Sequence, residues 1–343
     1  MLETDGYIVH DTSGIHFRSP NHSRILVQSL YTMKLVESIG EKVFSVITEG
    51  ISRETHNSIP QCYYVSGELG YGKTTLLHRI KEKVKSKDFQ PIYIDCLLHP
   101  IQNEEKLEEY VHSVTNNERA ILLLDEAHIL LNTWSSQELS KLRALIYSPG
   151  APIIVFAGNR VTKIFTEYSA PLYNSVLLLS LDKLANIDIK SIIDNICGSN
   201  STKHVDVDIV NIVNSLESTP LIATLCGKAI KEGYHEEKDI KHQVLTYFNA
   251  LYRKELSSLS PVQMLIVTTL LKAQTPCLLS DIANDTQLKN SDITAQIKRL
   301  KDRNLVEVIK GKPKKSLYQI KSNLLKAWYK ESSIEKTDVA SHF

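Results

Sequence analysis

Between Tyr64 and Leu77 the chain reads YVSGELGYGKTTLL, and Gly67, Gly72, Lys73 and Thr74 fall in the pattern G-x-x-x-x-G-K-[ST]. This pattern constrains the local fold before any other residue is consulted. A strand must end at the first glycine, a loop must turn its backbone N–H groups inward, and a helix must open at the lysine. The flanking residues fit: CYYVS, from Cys62, is a short apolar run, and KTTLLHRIKEKV has helical spacing of its apolar residues.

A loop of this kind holds a nucleoside triphosphate by its phosphates, so ATP is the expected ligand. The expected contacts are Gly67, Glu68, Leu69, Gly70, Tyr71, Gly72, Lys73, Thr74 and Thr75. Lys73 is expected to neutralise the β- and γ-phosphates, and the Thr74 hydroxyl to coordinate Mg²⁺.

Four more runs of the same character follow CYYVS. They are PIYID from Pro91, AILLLD from Ala120, PIIVFAG from Pro152 and SVLLLSL from Ser175, with helical patterns between most of them. Near-continuous apolarity over five or six residues suits strands buried on both faces, and alternation with helices implies a parallel sheet. Residues 61–182 therefore read as one α/β core, a five-stranded parallel sheet with helices on both faces.

The run AILLLD ends in Asp125, and Glu126 follows. Carboxylates at the C-terminal end of such a strand lie beside the phosphate loop. Asp125 is expected to hold Mg²⁺, and Glu126 to orient and polarise the attacking water. Asn159, just beyond PIIVFAG, stands where a polar side chain reaches the γ-phosphate or that water.

On these residues the chain resembles the AAA+ ATPases over 61–182. SAPLYNSVLLLSLDKL and ESTPLIATL further resemble motifs of the archaeal-type ATPases in the STAND branch. Lys73, Thr74, Asp125 and Glu126 are expected to hydrolyse ATP slowly, and the resemblance implies a lid whose proline, here Pro220, packs near the base. It also implies a C-terminal winged helix. Two positions depart from the family pattern. Asn174 and Ser175 stand where the family usually has glycine-arginine, and Ser218 replaces a lid glycine. The missing arginine leaves only Arg143 or Arg160 to serve as a finger to a neighbour's nucleotide.

The flanks complete four segments. Residues 1–60 read as an N-terminal helical extension, with Ser23 as a cap for SRILVQSLYTMKLVESIGEKVFSVI. Residues 183–258 read as a helical lid. Residues 259–343 read as a winged helix-turn-helix: three helical patterns, then LVEVIKGKPKKSLYQI as a hairpin. Asp125–His128 spell DEAH, but the chain after 183 is helical and too small for the second nucleotide-binding-type domain of a helicase.

Charge separates the C-terminal module from the rest. Pro261–Lys330 contain 13 Lys and Arg against 5 Asp and Glu, a local +8 in a chain whose total is +1. The third helical pattern, with Ser291 as its expected cap, buries Ile293, Ile297 and Leu300. It leaves Thr294, Gln296, Lys298, Arg299, Lys301 and Arg303 for the outside. The expected DNA contacts are Gln296 and Arg299 on this helix and Lys310, Lys312, Lys314 and Lys315 on the hairpin. The chain is expected to act as an ATP-driven switch that engages duplex DNA, or a partner bound to DNA, through this module. The alternative is a signalling scaffold whose winged helix binds protein or the chain itself and which reads out by self-association.

Five scattered cysteines, without a C-x-x-C pair, give no framework for a disulfide network or a zinc site. The N-terminus has no basic-then-apolar signal, and no apolar run approaches about 18 residues. A cytoplasmic protein with no membrane contact is expected.

Overall fold

Five apolar runs become the five strands of one parallel sheet in the computed structural model. It describes residues 8–11, 14–17 and 40–340, apart from 56, 87, 100, 115–117, 199–207, 274 and 311–315.

In chain order the elements begin with β1 (Ile8–Asp11) and β2 (Gly14–Phe17), an antiparallel hairpin. Then come α1 (Glu41–Ser52), β3 (Tyr63–Ser66), α2 (Lys73–Val84), β4 (Phe89–Asp95), α3 (Glu104–Val114) and β5 (Arg119–Asp125). They are followed by α4 (Ala127–Thr133), α5 (Ser136–Ile146), β6 (Ile153–Gly158), α6 (Lys163–Thr166), β7 (Leu177–Ser180) and α7 (Asn186–Cys197). The hairpin was not anticipated in the N-terminal segment. Only the last part of the expected N-terminal helix, α1, is described, and Ser23 lies outside the described residues.

The sheet order is β4-β5-β6-β3-β7, all parallel. Side chains alternate between its faces, which explains the unbroken apolar runs. Tyr64, Leu122, Leu124, Ile154 and Phe156 enter one core with Leu130 and Leu139, from α4 and α5. Tyr63, Val65, Ile121, Leu123 and Val155 enter a second with Leu76, Leu77 and Ile80 of α2 and Ile47 of α1. β3, β5 and β6 are buried throughout, whereas edge strand β7 leaves Leu177 and Leu178 exposed.

At the N-terminal end of β5 the buried Arg119 guanidinium donates to the carbonyls of Thr55, Ser58 and Ala151 and lies 3.5 Å from Glu54. This network ties the turn after α1 to the foot of the sheet, away from the phosphate loop. α5 opens with a capping box between Ser135 and Glu138.

The remaining elements are α8 (Ile209–Leu216), α9 (Pro220–Lys231), α10 (Glu237–Tyr247), α11 (Asn249–Ser257), α12 (Pro261–Lys272), β8 (Cys277–Leu278), α13 (Leu279–Thr286), α14 (Asn290–Asp302), β9 (Val306–Lys310), β10 (Ser316–Ile320) and α15 (Asn323–Ala340). β8, β10 and β9 form a small antiparallel sheet in that order. Three helices with this sheet are consistent with the expected winged helix-turn-helix. Ser260 caps α12 in a capping box with Gln263, and Pro261 occupies its first turn. Ser291 is not the cap of α14: the helix starts two residues earlier than that cap would set, at Asn290, and Lys289 holds the cap position without a side-chain bond.

The chain divides into two units. One comprises Met1–Ile192 with Thr219–Leu221, the other Ile193–Ser218 with Ile222–Phe343. Within the second, α15 packs on α8, α10 and α12. Its Trp328 indole donates to Asn249 Oδ1 across 2.6 Å and its ring lies 5.4 Å from Tyr252. His242 of α10 meets Glu331 at 3.0 Å. These contacts join most of segment 183–258 to 259–343. Among the described residues no helix is long and apolar enough to cross a membrane.

Candidate nucleotide site

The phosphate loop leaves β3 at Gly67, whose N–H donates to Gly158 O across 3.1 Å. Gly70 and Gly72 take positive φ values of 82° and 87°, a region costly for residues with a Cβ. Those two glycines turn the loop into α2, and Leu76 N–H closes the first helical turn on Gly72 O. Tyr71 is buried, whereas Leu69 is exposed.

Lys73 is the first residue of α2 and is buried. Its ammonium donates to the carbonyls of Gly67 at 2.7 Å and Glu68 at 3.0 Å. Burial pushes its pKa down, and the nearby Glu126, Asp125 and Glu68 push it back up. Thr74, next on the helix, donates from Oγ1 to Asp125 Oδ2 across 2.6 Å. The same oxygen accepts from the Tyr93 hydroxyl at 3.0 Å, and Asp125 Oδ1 accepts from Glu126 N–H at 3.0 Å.

Glu126 sits between β5 and α4 with φ 48°, a left-handed conformation that a side chain rarely adopts. Its Oε2 lies 3.3 Å from His128 Nδ1. Burial raises the Glu126 pKa above the usual carboxylate range. Lys73 opposes the rise, and Asp125 and Asp95 add to it.

Asn159 follows β6, the strand between the loop strand and the acidic strand, and its side chain is exposed. The loop carrying it is anchored by the Tyr64 hydroxyl, which donates to Arg160 O across 2.7 Å. Pro220 opens α9, and its neighbours reach the loop: Leu221 N–H donates to Gly70 O at 3.2 Å, and Thr219 is buried. A Cβ on Gly70 would lie 2.8 Å from Leu221 Cβ, so this approach too requires glycine.

Strand, loop and helix thus bring Lys73, Thr74, Asp125 and Glu126 to one end of a β4-β5-β6-β3-β7 sheet. Residues 63–170 match the family of ATPases associated with various cellular activities, AAA. They form an AAA-type P-loop ATPase domain. The Walker-type ATPase PaBY2304 of Pyrococcus abyssi has a similar fold, with TM-score 0.61 at 16% identity over 85% of this chain and 95% of that one. The Aeropyrum pernix ORC1 protein, in a complex with DNA, gives TM-score 0.50 at 12% identity over 87% and 94% of the two chains. At these identities the likeness is one of fold. No curated protein matches this chain in sequence.

The donor set of the AAA domain suits Mg²⁺. One hydroxyl and one carboxylate are hard oxygen ligands of the kind that magnesium takes alongside phosphate and water. Among the described residues no group of three or more His, Cys, Asp and Glu could hold a metal by itself.

Arg143 is committed elsewhere in the AAA domain. Its Nη1 donates to Pro171 O at 2.9 Å and Tyr173 O at 3.0 Å, clamping the loop that carries Asn174. Asn174 has φ 54°, so it serves the backbone role of the glycine expected there. Ser175 is buried, and Arg160 is exposed.

The expected DNA residues divide. Arg299 is exposed on α14 with Lys298 and Lys301, and Lys310 is exposed at the end of β9. Gln296 does not face outward as expected. It is half-buried, and its Oε1 accepts from Gln263 Nε2 at 3.1 Å, because residue 296 sits on the helix flank that meets α12. Arg303 is exposed as expected, and it donates to Ser258 Oγ at 2.5 Å. Lys312, Lys314 and Lys315 lie outside the described residues.

The sequence reading missed Tyr93, Asp95 and His128. His128 was visible within DEAH, three residues after Asp125. Tyr93 carried no signal, since it looks like any aromatic residue of a strand.

Proposed function

We propose that this chain is an ATP-hydrolysing molecular switch that engages duplex DNA through its C-terminal module. The observation that carries the reading is the 2.6 Å Thr74–Asp125 contact, with Lys73 at the loop and Glu126 beside it. Lys73 exchanges its two carbonyl partners for phosphate oxygens. Thr74 and Asp125 would hold Mg²⁺, which would supply positive charge to the phosphates. Glu126, with its raised pKa, accepts the proton of the attacking water. Asn159 contacts the γ-phosphate or that water. Hydrolysis is slow, since Ser175 replaces the family's arginine and Arg143 is already bonded.

Thr219–Leu221 feel the loop directly and lead into α9, so they are the stretch that registers nucleotide state. Support for the DNA half comes from the local charge of +8 and from Lys298, Arg299 and Lys301 exposed on α14 above a buried Ile293, Ile297 and Leu300. The ORC1 structure of similar fold, solved with DNA, points the same way.

The test is a titration of the full chain against duplex DNA at several salt concentrations, with and without ATP. Binding that weakens steeply with salt is expected. Absence of binding at about 50 mM salt in both nucleotide states overturns the DNA half and leaves the signalling scaffold.

A further inference from the structure

Three donors from three elements converge on the Asp125 carboxylate. Thr74 Oγ1 and Tyr93 Oη share Oδ2, and Glu126 N–H takes Oδ1. Two of them belong to the phosphate-loop helix and to the backbone after β5. The third, Tyr93, comes from β4, the strand that also carries Asp95.

The register explains the reach. Tyr93 pairs with Leu123, and Asp95 pairs with Asp125, so Tyr93, Leu123 and Asp125 share the sheet face covered by α2. From two residues below Asp125 the phenol spans to the carboxylate. His78 of α2, one turn after Thr74, stacks on the ring with centroids 4.4 Å apart and planes at 25°. A tyrosine hydroxyl is protonated at physiological pH, so Tyr93 is the donor in this bond. A phenylalanine would fill the same volume and keep the stack, but it would leave Oδ2 with a single donor.

We propose that Tyr93, braced by His78, is a positioning residue for the magnesium-holding pair Thr74–Asp125. This rests on the ATP–Mg²⁺ reading of the site. The Tyr93 bond fixes the rotation of the Asp125 carboxylate. With the carboxylate fixed, Thr74 donates its proton to Oδ2 and keeps its lone pairs for a cation. Tyr93 touches neither phosphate nor metal. Its removal should therefore change how much the cation adds to nucleotide binding, and leave metal-free nucleotide binding as it was.

The experiment measures binding of a fluorescent ATP analogue to the full chain in excess Mg²⁺ and in EDTA, and takes the ratio of the two Kd values. Tyr93→Phe should lower the tightening by Mg²⁺ about tenfold, the scale of one hydrogen bond to a charged acceptor. Its Kd in EDTA should stay within about twofold of wild type, a split that general loosening of the site would not produce. An unchanged ratio in folded Tyr93→Phe overturns the proposal. Thermal melting reports whether the variant folds. If it does not, His78→Leu keeps the hydroxyl but removes the brace, and a ratio equal to wild type in that variant overturns the proposal as well. If Mg²⁺ leaves wild-type binding unchanged, the ATP–Mg²⁺ reading itself fails and takes this inference with it.

Discussion

The Thr74 hydroxyl and the Asp125 carboxylate meet at 2.6 Å, joining the helix after the phosphate loop to the end of the acidic strand. Thr74→Val keeps the shape and the β-branch but removes the donor and the metal ligand together. The variant should bind ATP in EDTA as wild type does, and should lose most of the tightening that Mg²⁺ brings. Isothermal titration in the two buffers checks this. Equal tightening in both proteins would show that Thr74 is not a magnesium ligand.

Glu126 pairs a strained backbone with an unfavourably placed charge. Its folded pKa lies above the ordinary value of 4.5, chiefly through burial. The unfolded chain therefore releases this proton first as pH rises, and stability is lost between 4.5 and the folded value. At neutral pH the ionised carboxylate costs stability. Glu126→Gln should bind ATP, fail to hydrolyse it, and melt above wild type at pH 7.5. The difference should shrink as pH approaches 4.5. A variant that melts below wild type at pH 7.5 would contradict the electrostatic reading.

Arg143 is a clamp, because both carbonyls that it serves, Pro171 and Tyr173, belong to its own chain. Arg143→Ala should destabilise by about 1–3 kcal/mol, the cost of leaving such groups unpaired. Specific ATPase activity should show little dependence on protein concentration. A steep rise with concentration in wild type, lost in Arg143→Ala at a temperature where it is folded, would make it a finger instead.

Base reading and phosphate contact should separate in the C-terminal module. Arg299→Ala should change the preference among DNA sequences, by roughly 1–3 kcal/mol for a bidentate contact. Gln296→Ala should cost stability through its Gln263 partner and leave that preference alone. Alanine at Lys312, Lys314 and Lys315 should weaken all sequences alike. If all three touch phosphates, it should flatten the slope of log affinity against log salt by about 2–3 units. Fluorescence anisotropy over a salt series distinguishes these outcomes.

Much of the core was legible because its signals are local. The runs at Cys62, Pro91, Ala120, Pro152 and Ser175 contain all five sheet strands, to within two residues at each end. Two-sided burial leaves no alternative composition for such strands. Lys73, Thr74, Asp125 and Glu126 were legible for the same reason, being fixed to strand ends and a helix start. The glycine lost at Asn174 was readable as a departure, but only the φ of 54° shows that asparagine fills the glycine's role. What sequence could not supply was long-range partnering. Gln296 faces Gln263, 33 residues away, so an outward position on a helical wheel became a half-buried one. Arg119, buried in strand β5 yet charged, finds its acceptors 61 to 65 residues back and at Ala151. Trp328 and α15 link two stretches that composition had separated.

The central claim is that Lys73 and its loop hold ATP, and calorimetric titration of the wild-type chain and Lys73→Ala with Mg²⁺–ATP tests it most directly. The account predicts binding by wild type and a loss of about 100-fold or more in the variant, since one charge-assisted contact to phosphate contributes up to about 3 kcal/mol. Equal affinity in a folded Lys73→Ala protein would contradict it.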